Sequence, residues 1–387
     1  MKKHYNSKVI IITILIAVVA GIGIGFIYNG NTPSSNPPDE TQPTTTNESE
    51  PVTISLIAVG DNLLHGTVLN DAKTADGGYD FTPIYAPVAQ YIKAADISFV
   101  NQEAPLAGSG YQASGYPLFN SPQQAGRDLV STGFNVINMA NNHALDKGTQ
   151  AVINTVDFWD SIEGVTMLGM ARSSEEASEI KTIEINGVTF AFLSYCYGTN
   201  GMPMEYNYLL SLIDMDKISD DVARAKEMAD CIIVSMHWGN EYQLTPSATQ
   251  REMAQQLADM GVDLIIGHHP HVLEPAEWLT GSGGNRTFVA YSLGNFVSSQ
   301  HERETMLGGM LSVNFVYKDG EVSISDAGII PLVTHYERGL HGYRVYRLAD
   351  YTDELAARHG ISAYDSPVSV KYFEDLSAQI LGQYRIY

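Results

Sequence analysis

Cysteine, positive charge and long apolar runs are all scarce in this sequence, and each scarcity narrows its reading. Only two cysteines, Cys196 and Cys231, occur in 387 residues, each inside a strand-like apolar run. Two are too few for a disulfide framework, and neither has metal-ligand spacing, so a large apolar core must supply the stability. The composition provides for one, with 44% hydrophobic residues and 10% aromatics. Lysine and arginine number 22 against 44 aspartates and glutamates, a formal net charge of −22. A chain this acidic lacks the positive field that nucleic acid requires, so no nucleic-acid partner is expected. A polyanionic substrate would also be repelled at long range unless bound cations supplied local positive charge.

One long uncharged apolar stretch is present, residues 9–28, preceded by Lys2, Lys3 and Lys8. As a helix rising about 1.5 Å per residue it spans roughly 30 Å, the thickness of a bilayer's hydrocarbon. The basic flank puts its start in the cytoplasm. The sequence thus predicts a single-pass signal anchor in the cell membrane, with the rest of the chain extracellular. The competing reading is a cleaved signal peptide ending at Val18-Val19-Ala20, but a secretory apolar region usually stops at about 7–15 residues. Residues 29–50 are rich in Asn, Pro, Thr, Ser and acid without apolar periodicity, and read as a disordered extracellular stalk. The expected organisation is a basic cytoplasmic tail (1–8), the anchor (9–28), the stalk (29–50), a domain (51–334) and a C-terminal extension packed on it (335–387).

Beyond the stalk, short β-branched runs alternate with helix-like stretches, the pattern of an α/β fold. Five of the runs end on residues of metal-ligand type. Run 52–59 stops at Gly60-Asp61, run 97–100 at Asn101-Gln102-Glu103, and run 134–140 at Asn141-Asn142-His143. Run 231–236 stops at His237-Trp238-Gly239, and run 262–266 leads into Gly267-His268-His269-Pro270-His271. Three imidazoles within four positions are hard to explain as packing. If the runs share one sheet, their carboxyl ends face a common crevice. Asn186-Gly187 predicts a two-residue hairpin between runs 180–185 and 188–195. A helix is expected over 246–260, with Thr245 as N-cap, Pro246 in its first position and Gly261 beyond its end. Weaker helix signals cover 150–162 and 216–230, and 288–293 reads as a further strand.

Asp, Glu, Asn and His without thiolate suit Mn²⁺, Zn²⁺ or Fe²⁺, bound as one ion or as a pair about 3.5–4 Å apart. His143 has a different character, because Asp146 lies three residues on. A carboxylate there can bond one imidazole nitrogen and leave the other to protonate a leaving group. His65 is a further candidate ligand after Asp61, and His268 is expected to point away from its neighbours and act behind the ligands.

Taken in order, these blocks resemble the bacterial capsule-synthesis CapA family, which is related to the calcineurin-like metallophosphoesterases. The resemblance rests on Val59-Gly60-Asp61, Asn101-Gln102-Glu103, the 140–146 block around Asn142-His143, and Val234-Ser235-Met236-His237-Trp238-Gly239. It continues through Gly267-His268-His269-Pro270-His271-Val272 and Tyr291-Ser292-Leu293-Gly294-Asn295-Phe296. It implies a four-layer α/β/β/α metallophosphoesterase-like sandwich and a membrane-tethered role in making or retaining poly-γ-glutamate. It implies Asp61, Glu103, Asn142, His237, His269 and His271 as metal ligands, with His143 as the acid. Implied partners are the cell membrane, poly-γ-glutamate or another envelope polymer, and capsule-synthesis membrane proteins. Two departures stand out. Leu63 occupies the place of the usual histidine after the first aspartate, and Asn101-Gln102-Glu103 replaces a Gly-Asp-x-x-Asp motif. A non-catalytic polymer-binding component, or a metallophosphoesterase unrelated to capsule, are the alternative readings.

Overall fold

The computed structural model describes residues 50–387, so the expected tail, anchor and all but the last residue of the stalk lie outside the described residues. Among the described residues no helix is long and apolar enough to cross a membrane. The strands of the first half are β1 (Val52–Asn62), β2 (Ile97–Gln102), β3 (Val136–Asn138), β4 (Thr166–Leu168), β5 (Lys181–Ile185), β6 (Val188–Cys196) and β7 (Cys231–His237). Those of the second half are β8 (Leu264–His268), β9 (Ala276–Thr280), β10 (Arg286–Ala290), β11 (Asn295–Val297), β12 (Leu307–Lys318), β13 (Glu321–Glu337) and β14 (His341–Arg347).

They form two mixed sheets. The first has the order β14-β13-β12-β1-β2-β3-β4, with short β11 also paired to β1, and the second runs β5-β6-β7-β8-β10-β9. The five metal-type strand ends therefore do not share one sheet. β1, β2 and β3 bring three of them from the first sheet, and β7 and β8 bring two from the second. Side chains on a strand alternate between its faces, and β6 shows how this joins the sheets. Its Phe190 and Phe192 belong to the core shared with the first sheet, Phe190 lying edge-on to Phe315 of β12 at 5.1 Å. The alternate residues Ala191, Leu193 and Tyr195 pack instead with Ile218, Val222, Ala254 and Leu257 of two helices. Helices Gln123–Thr132 and Thr149–Asp160 contribute Leu129, Val152 and Trp159 to the first core.

Close backbone approaches bring the strand ends together. A Cβ on Gly60 would stand 1.8 Å from the Gly294 carbonyl oxygen, and one on Gly267 would stand 1.8 Å from that of Tyr291. Only glycine allows those contacts. They seat β11 beside β1 and the start of the histidine segment beside the stretch that follows β10.

Local signals fare unevenly. Asn186 and Gly187 both take positive φ, 53° and 80°, in the tight turn between β5 and β6 that Asn-Gly predicts. The helix expected from Thr245 begins later, at Ala248–Asp259, because Ser247 caps it and forms a capping box with Gln250. The other two helices are Thr149–Asp160 and Met215–Ala225, the latter capped by Asp214. β13 runs straight through position 334, and β14 extends the same sheet beyond it.

The segment leaving the histidines is tied to helix Ala248–Asp259 by one polar clasp. Gln250 Nε2 donates to Glu274 Oε2 at 2.6 Å, while Glu274 Oε1 is buried without a partner. Burial pushes the Glu274 carboxyl up from 4.5 to about 7, against a smaller opposing effect of the Gln250 bond. The folded state thus prefers the protonated acid. That stabilisation is complete below pH 4.5 and is lost as the pH rises through about 7. Glu274→Gln removes the charge while keeping an oxygen for Gln250. In urea unfolding, the variant should be more stable than wild type near pH 8, by up to about 3 kcal/mol, with the gap closing near pH 4.5. A gap that does not change with pH would show that Glu274 does not carry the effect.

Candidate metal centre

Six side chains named from the sequence, Asp61, Glu103, Asn142, His237, His269 and His271, meet where the two sheets' strand ends converge. Each is almost fully buried. Asp61 ends β1, with its Oδ1 accepting from Asn101 Nδ2 at 2.8 Å and its Oδ2 lying 3.0 Å from His271 Nδ1. The His269 backbone N–H also points at Oδ2, at 3.4 Å. Burial pushes the Asp61 pKa up, but His268 and His271 together outweigh it and hold the carboxyl well below its usual range.

Glu103 is the opposite case. It is fully buried, and among the described residues neither carboxylate oxygen has a hydrogen-bond partner. His237 Nε2 lies 3.6 Å and His271 Nε2 3.8 Å from its Oε1. Burial, and then the nearby charges of Asp61, Glu241 and Asp146, push its pKa well above the ordinary value. An unpaired buried carboxylate costs several kcal/mol.

Two of the imidazoles around it, His237 and His269, are held neutral. Burial drives His237 well below its ordinary pKa, and takes His269 down to about 3 with help from His271. Neutral imidazole is the metal-binding form. His269 Nδ1 has no partner. Asn142 presents its Oδ1 2.9 Å from His237 Nε2, because its Nδ2 donates outward to Asn200 at 3.2 Å. His269 and His271 sit at φ of 99° and 60°. Left-handed backbone at two non-glycine residues is strained, and it turns both rings inward.

Among the described residues, three clusters have donor atoms spaced to hold a cation: Glu103-His237-His269, Asp61-Glu103-His271 and Glu241-His269-His271. Glu103 belongs to two of them, and its orphaned oxygens sit where a divalent ion would satisfy them. The residues present therefore fit such an ion.

His143 stands at the edge of this group. Its Nδ1 lies 2.8 Å from Asp146 Oδ2, which also accepts the Phe119 backbone N–H at 2.7 Å. A carboxylate only accepts, so the proton sits on Nδ1 and Nε2 is left for the cleft that His143 lines. His268 stacks on Phe99 at 5.7 Å and touches Asp61 from behind, its Nδ1 3.5 Å from Oδ1. His65 lies outside the three clusters. Its Nδ1 accepts the Ser299 backbone N–H at 3.2 Å, and burial lowers its pKa to about 4. Leu63 packs with Ala104 and Phe119, so an apolar contact stands where an imidazole was missed.

Several residues in the centre were not singled out from the sequence. Asn138, Asn101, Asp61 and Asn295 lie in register across β3, β2, β1 and β11. Asn138 Nδ2 donates to Asn101 Oδ1 at 2.8 Å, and Asn295 Oδ1 lies 3.1 Å from His271 Nδ1. Ser194 of the second sheet donates to Asn138 Oδ1. The signal was an Asn or Asp near the end of β1, β2 and β3 and an asparagine opening β11, but register decides that they line up. Glu241 is exposed and resembles any loop acid in sequence.

The chain was compared with known proteins. Residues 55–300 match the family described as bacterial capsule synthesis protein PGA_cap. The PGA biosynthesis protein CapA of Bacillus subtilis is 32% identical over 254 residues, which is 64% of this chain and 64% of that relative's length. The capsule biosynthesis protein CapA of Bacillus anthracis is 27% identical over 300 residues, covering 74% of this chain and 68% of the relative. Among solved structures, a calcineurin-like phosphoesterase of Bacillus subtilis is similar at 14% identity with a TM-score of 0.42, covering 86% of this chain and 97% of the other. The matched region takes in every strand end of the centre from Asp61 to Asn295, and the chain belongs to the bacterial capsule synthesis protein family.

Proposed function

We propose that this protein is a membrane-anchored, extracellular component of capsule biosynthesis, acting on an envelope polymer such as poly-γ-glutamate through a metal-dependent hydrolase-type site. The observation that carries the reading is Glu103, buried among His237, His269 and His271 with both oxygens unpartnered among the described residues. The anchor rests on residues 9–28 and their basic flank. The two facing mixed sheets are consistent with a four-layer sandwich of the calcineurin-like kind.

The centre has unequal halves. Glu103, Asn142, His237 and His269 provide four donors to one position. Asp61, Glu103 and His271 provide three to the other, where Leu63 adds none. A divalent ion of the Mn²⁺, Zn²⁺ or Fe²⁺ type, held by these residues, supplies Lewis acidity and activates water near neutral pH.

The remaining chemistry belongs to the chain. The strands and the Asn138-Asn101-Asp61 hydrogen bonds fix the donors before any ligand arrives, so little reorganisation is needed at the moment of reaction. Asp146 holds the His143 ring in one tautomer, and the Phe119 N–H holds Asp146. His143 Nε2 is placed to pass a proton to the leaving group at the cleft, the amine nitrogen of an amide or the oxygen of an ester. Leu63 favours a second reading, a polymer-binding assembly component whose centre is reduced.

Two measurements test the proposal. Elemental analysis of protein purified without chelator should find about one tightly held ion per chain, with a weaker second site filling on titration with Mn²⁺. Glu103→Gln should lose both, because Glu103 serves both halves. No ion in folded protein, even after reloading, would leave the assembly component as the better account. In the second measurement, turnover of an aryl phosphodiester should fall about 10²–10⁴-fold in His143→Ala without a change in metal content. Asp146→Asn should fall less. Full activity in both variants would remove His143 from the mechanism.

A further inference from the structure

Leu63 and Glu241 line one groove, the cleft of about 460 Å³ beside the centre. Leu63 makes an apolar contact in the half of the centre that has three donors, Asp61, Glu103 and His271. Glu241 is an exposed carboxylate that reaches two of the centre's histidines. Its oxygen and the ring nitrogens of His269 and His271 lie within 4.8 Å of one another. Donors on one ion, with bonds of about 2.0–2.2 Å, lie up to about 4.4 Å apart. An exposed side chain changes rotamer freely and can close that difference.

The backbone holds Glu241 over the histidines. β7 ends at His237, and the next residue, Trp238, is buried. Its N–H donates to the His268 carbonyl at 3.1 Å and its Nε1 to that of Tyr291 at 2.9 Å. Four residues on, Tyr242 donates its N–H to the carbonyl of Pro270 at 2.8 Å, the residue between His269 and His271. The loop is therefore fastened, on both sides of Glu241, to the segment that carries the histidines. Tyr242 takes a φ of 64°, a third left-handed non-glycine residue at the centre. Strain of that kind persists where the surroundings impose it.

Charge points the same way. Asp146, the other acid of the groove, is engaged by His143 and the Phe119 N–H. No lysine or arginine is among the groove's described lining residues to balance Glu241. Its charge is one of those that push the Glu103 carboxyl up. Carboxylates that converge on one place oppose each other's ionisation until a cation lies among them. His269 Nδ1 and both Glu103 oxygens, all buried, have no hydrogen-bond partner among the described residues.

We propose that Glu241 is the fourth donor to the ion position of Asp61, Glu103 and His271, supplied by the loop after β7 in place of the imidazole that Leu63 lacks. This rests on the reading of the centre as a metal-dependent site, and it makes the two positions chemically unlike. Three carboxylates with one imidazole form an oxygen-rich set that suits Mn²⁺. His237 and His269, with Glu103 and Asn142, form a nitrogen-richer set that suits Zn²⁺ or Fe²⁺. The oxygen-rich position also has one donor on an exposed side chain, so its ion exchanges more readily.

The test uses the full chain in detergent, stripped with chelator and titrated with Mn²⁺ and with Zn²⁺, with bound metal counted by elemental analysis after dialysis. Wild type should saturate at two ions, one tight and one weaker. Glu241→Gln, a change at an exposed side chain, should keep the tight ion and weaken Mn²⁺ at the second position at least about tenfold. Losing even a group that only orients a ligand costs about 10–100-fold. Glu241→His should still take two ions, with the second position's preference moved about tenfold from Mn²⁺ toward Zn²⁺. Unchanged loading of Glu241→Gln, loss of its tight ion instead of the weaker one, or an unmoved preference in Glu241→His would each overturn the proposal. So would three ions in wild type with the third lost in Glu241→Gln, because Glu241 would then hold an ion of its own. Failure of the two claims is distinguishable. Wild type that takes up no ion removes the metal-dependent reading and this role with it, whereas equal loading of wild type and Glu241→Gln removes the role of Glu241 alone.

Discussion

A fully buried carboxylate without partners among the described residues is the constraint around which this molecule is arranged. The Glu103 carboxylate finds no hydrogen-bond donor among the described residues, and burial, then Asp61, Glu241 and Asp146, all make its ionisation harder. Without a cation the group stays protonated or costs several kcal/mol. His237 and His269 are neutral for the same reason, since burial penalises imidazolium as it penalises carboxylate. Acid and bases are thus each in the protonation state that the other's burial opposes least. A cation placed among them reverses the balance for Glu103 while asking nothing further of the imidazoles.

The backbone bears part of the cost of holding that arrangement. His269 and His271 keep left-handed φ, and Gly60 and Gly267 admit carbonyl oxygens where any side chain would collide. Such strain persists only where the surrounding structure over-determines it. Here the asparagine ladder does so from one side, fixing Asp61 through Asn101 and Asn138 as far as Ser194 on the other sheet. Asn295, held by Ser298 and Gln300, fixes His271 from the other. The same Gln300 reaches Tyr242, so the framework of the centre continues into the wall of the groove.

Much of this was legible in the sequence, for a local reason. A polar residue of ligand type directly after a buried apolar run is visible without knowing which strands pair, and it located Asp61, Glu103, Asn142, His237, His269 and His271. What pairing decides was not visible. The division of the five runs between two sheets depends on long-range packing, and the Asn138-Asn101-Asp61-Asn295 row exists only in the correct register. Glu241 comes to the histidines by a loop path that no periodicity encodes. End signals competed at one helix: Thr245-Pro246 reads as a start, but the reciprocal bonds of Ser247 and Gln250 win. The anchor and stalk stand on composition alone, because they precede the described residues.

The hydrogen bond between Asp61 and His271 joins residues 210 positions apart. Donors so widely spread cannot nucleate anything, since their encounter requires most of the chain to be ordered already. The hairpins β5–β6 and β12–β13, closed by short turns, can form early and independently. The ion site is consequently a late product of folding. A bound cation would stabilise the finished molecule by mass action without guiding its assembly, and its capture would report that both sheets have closed.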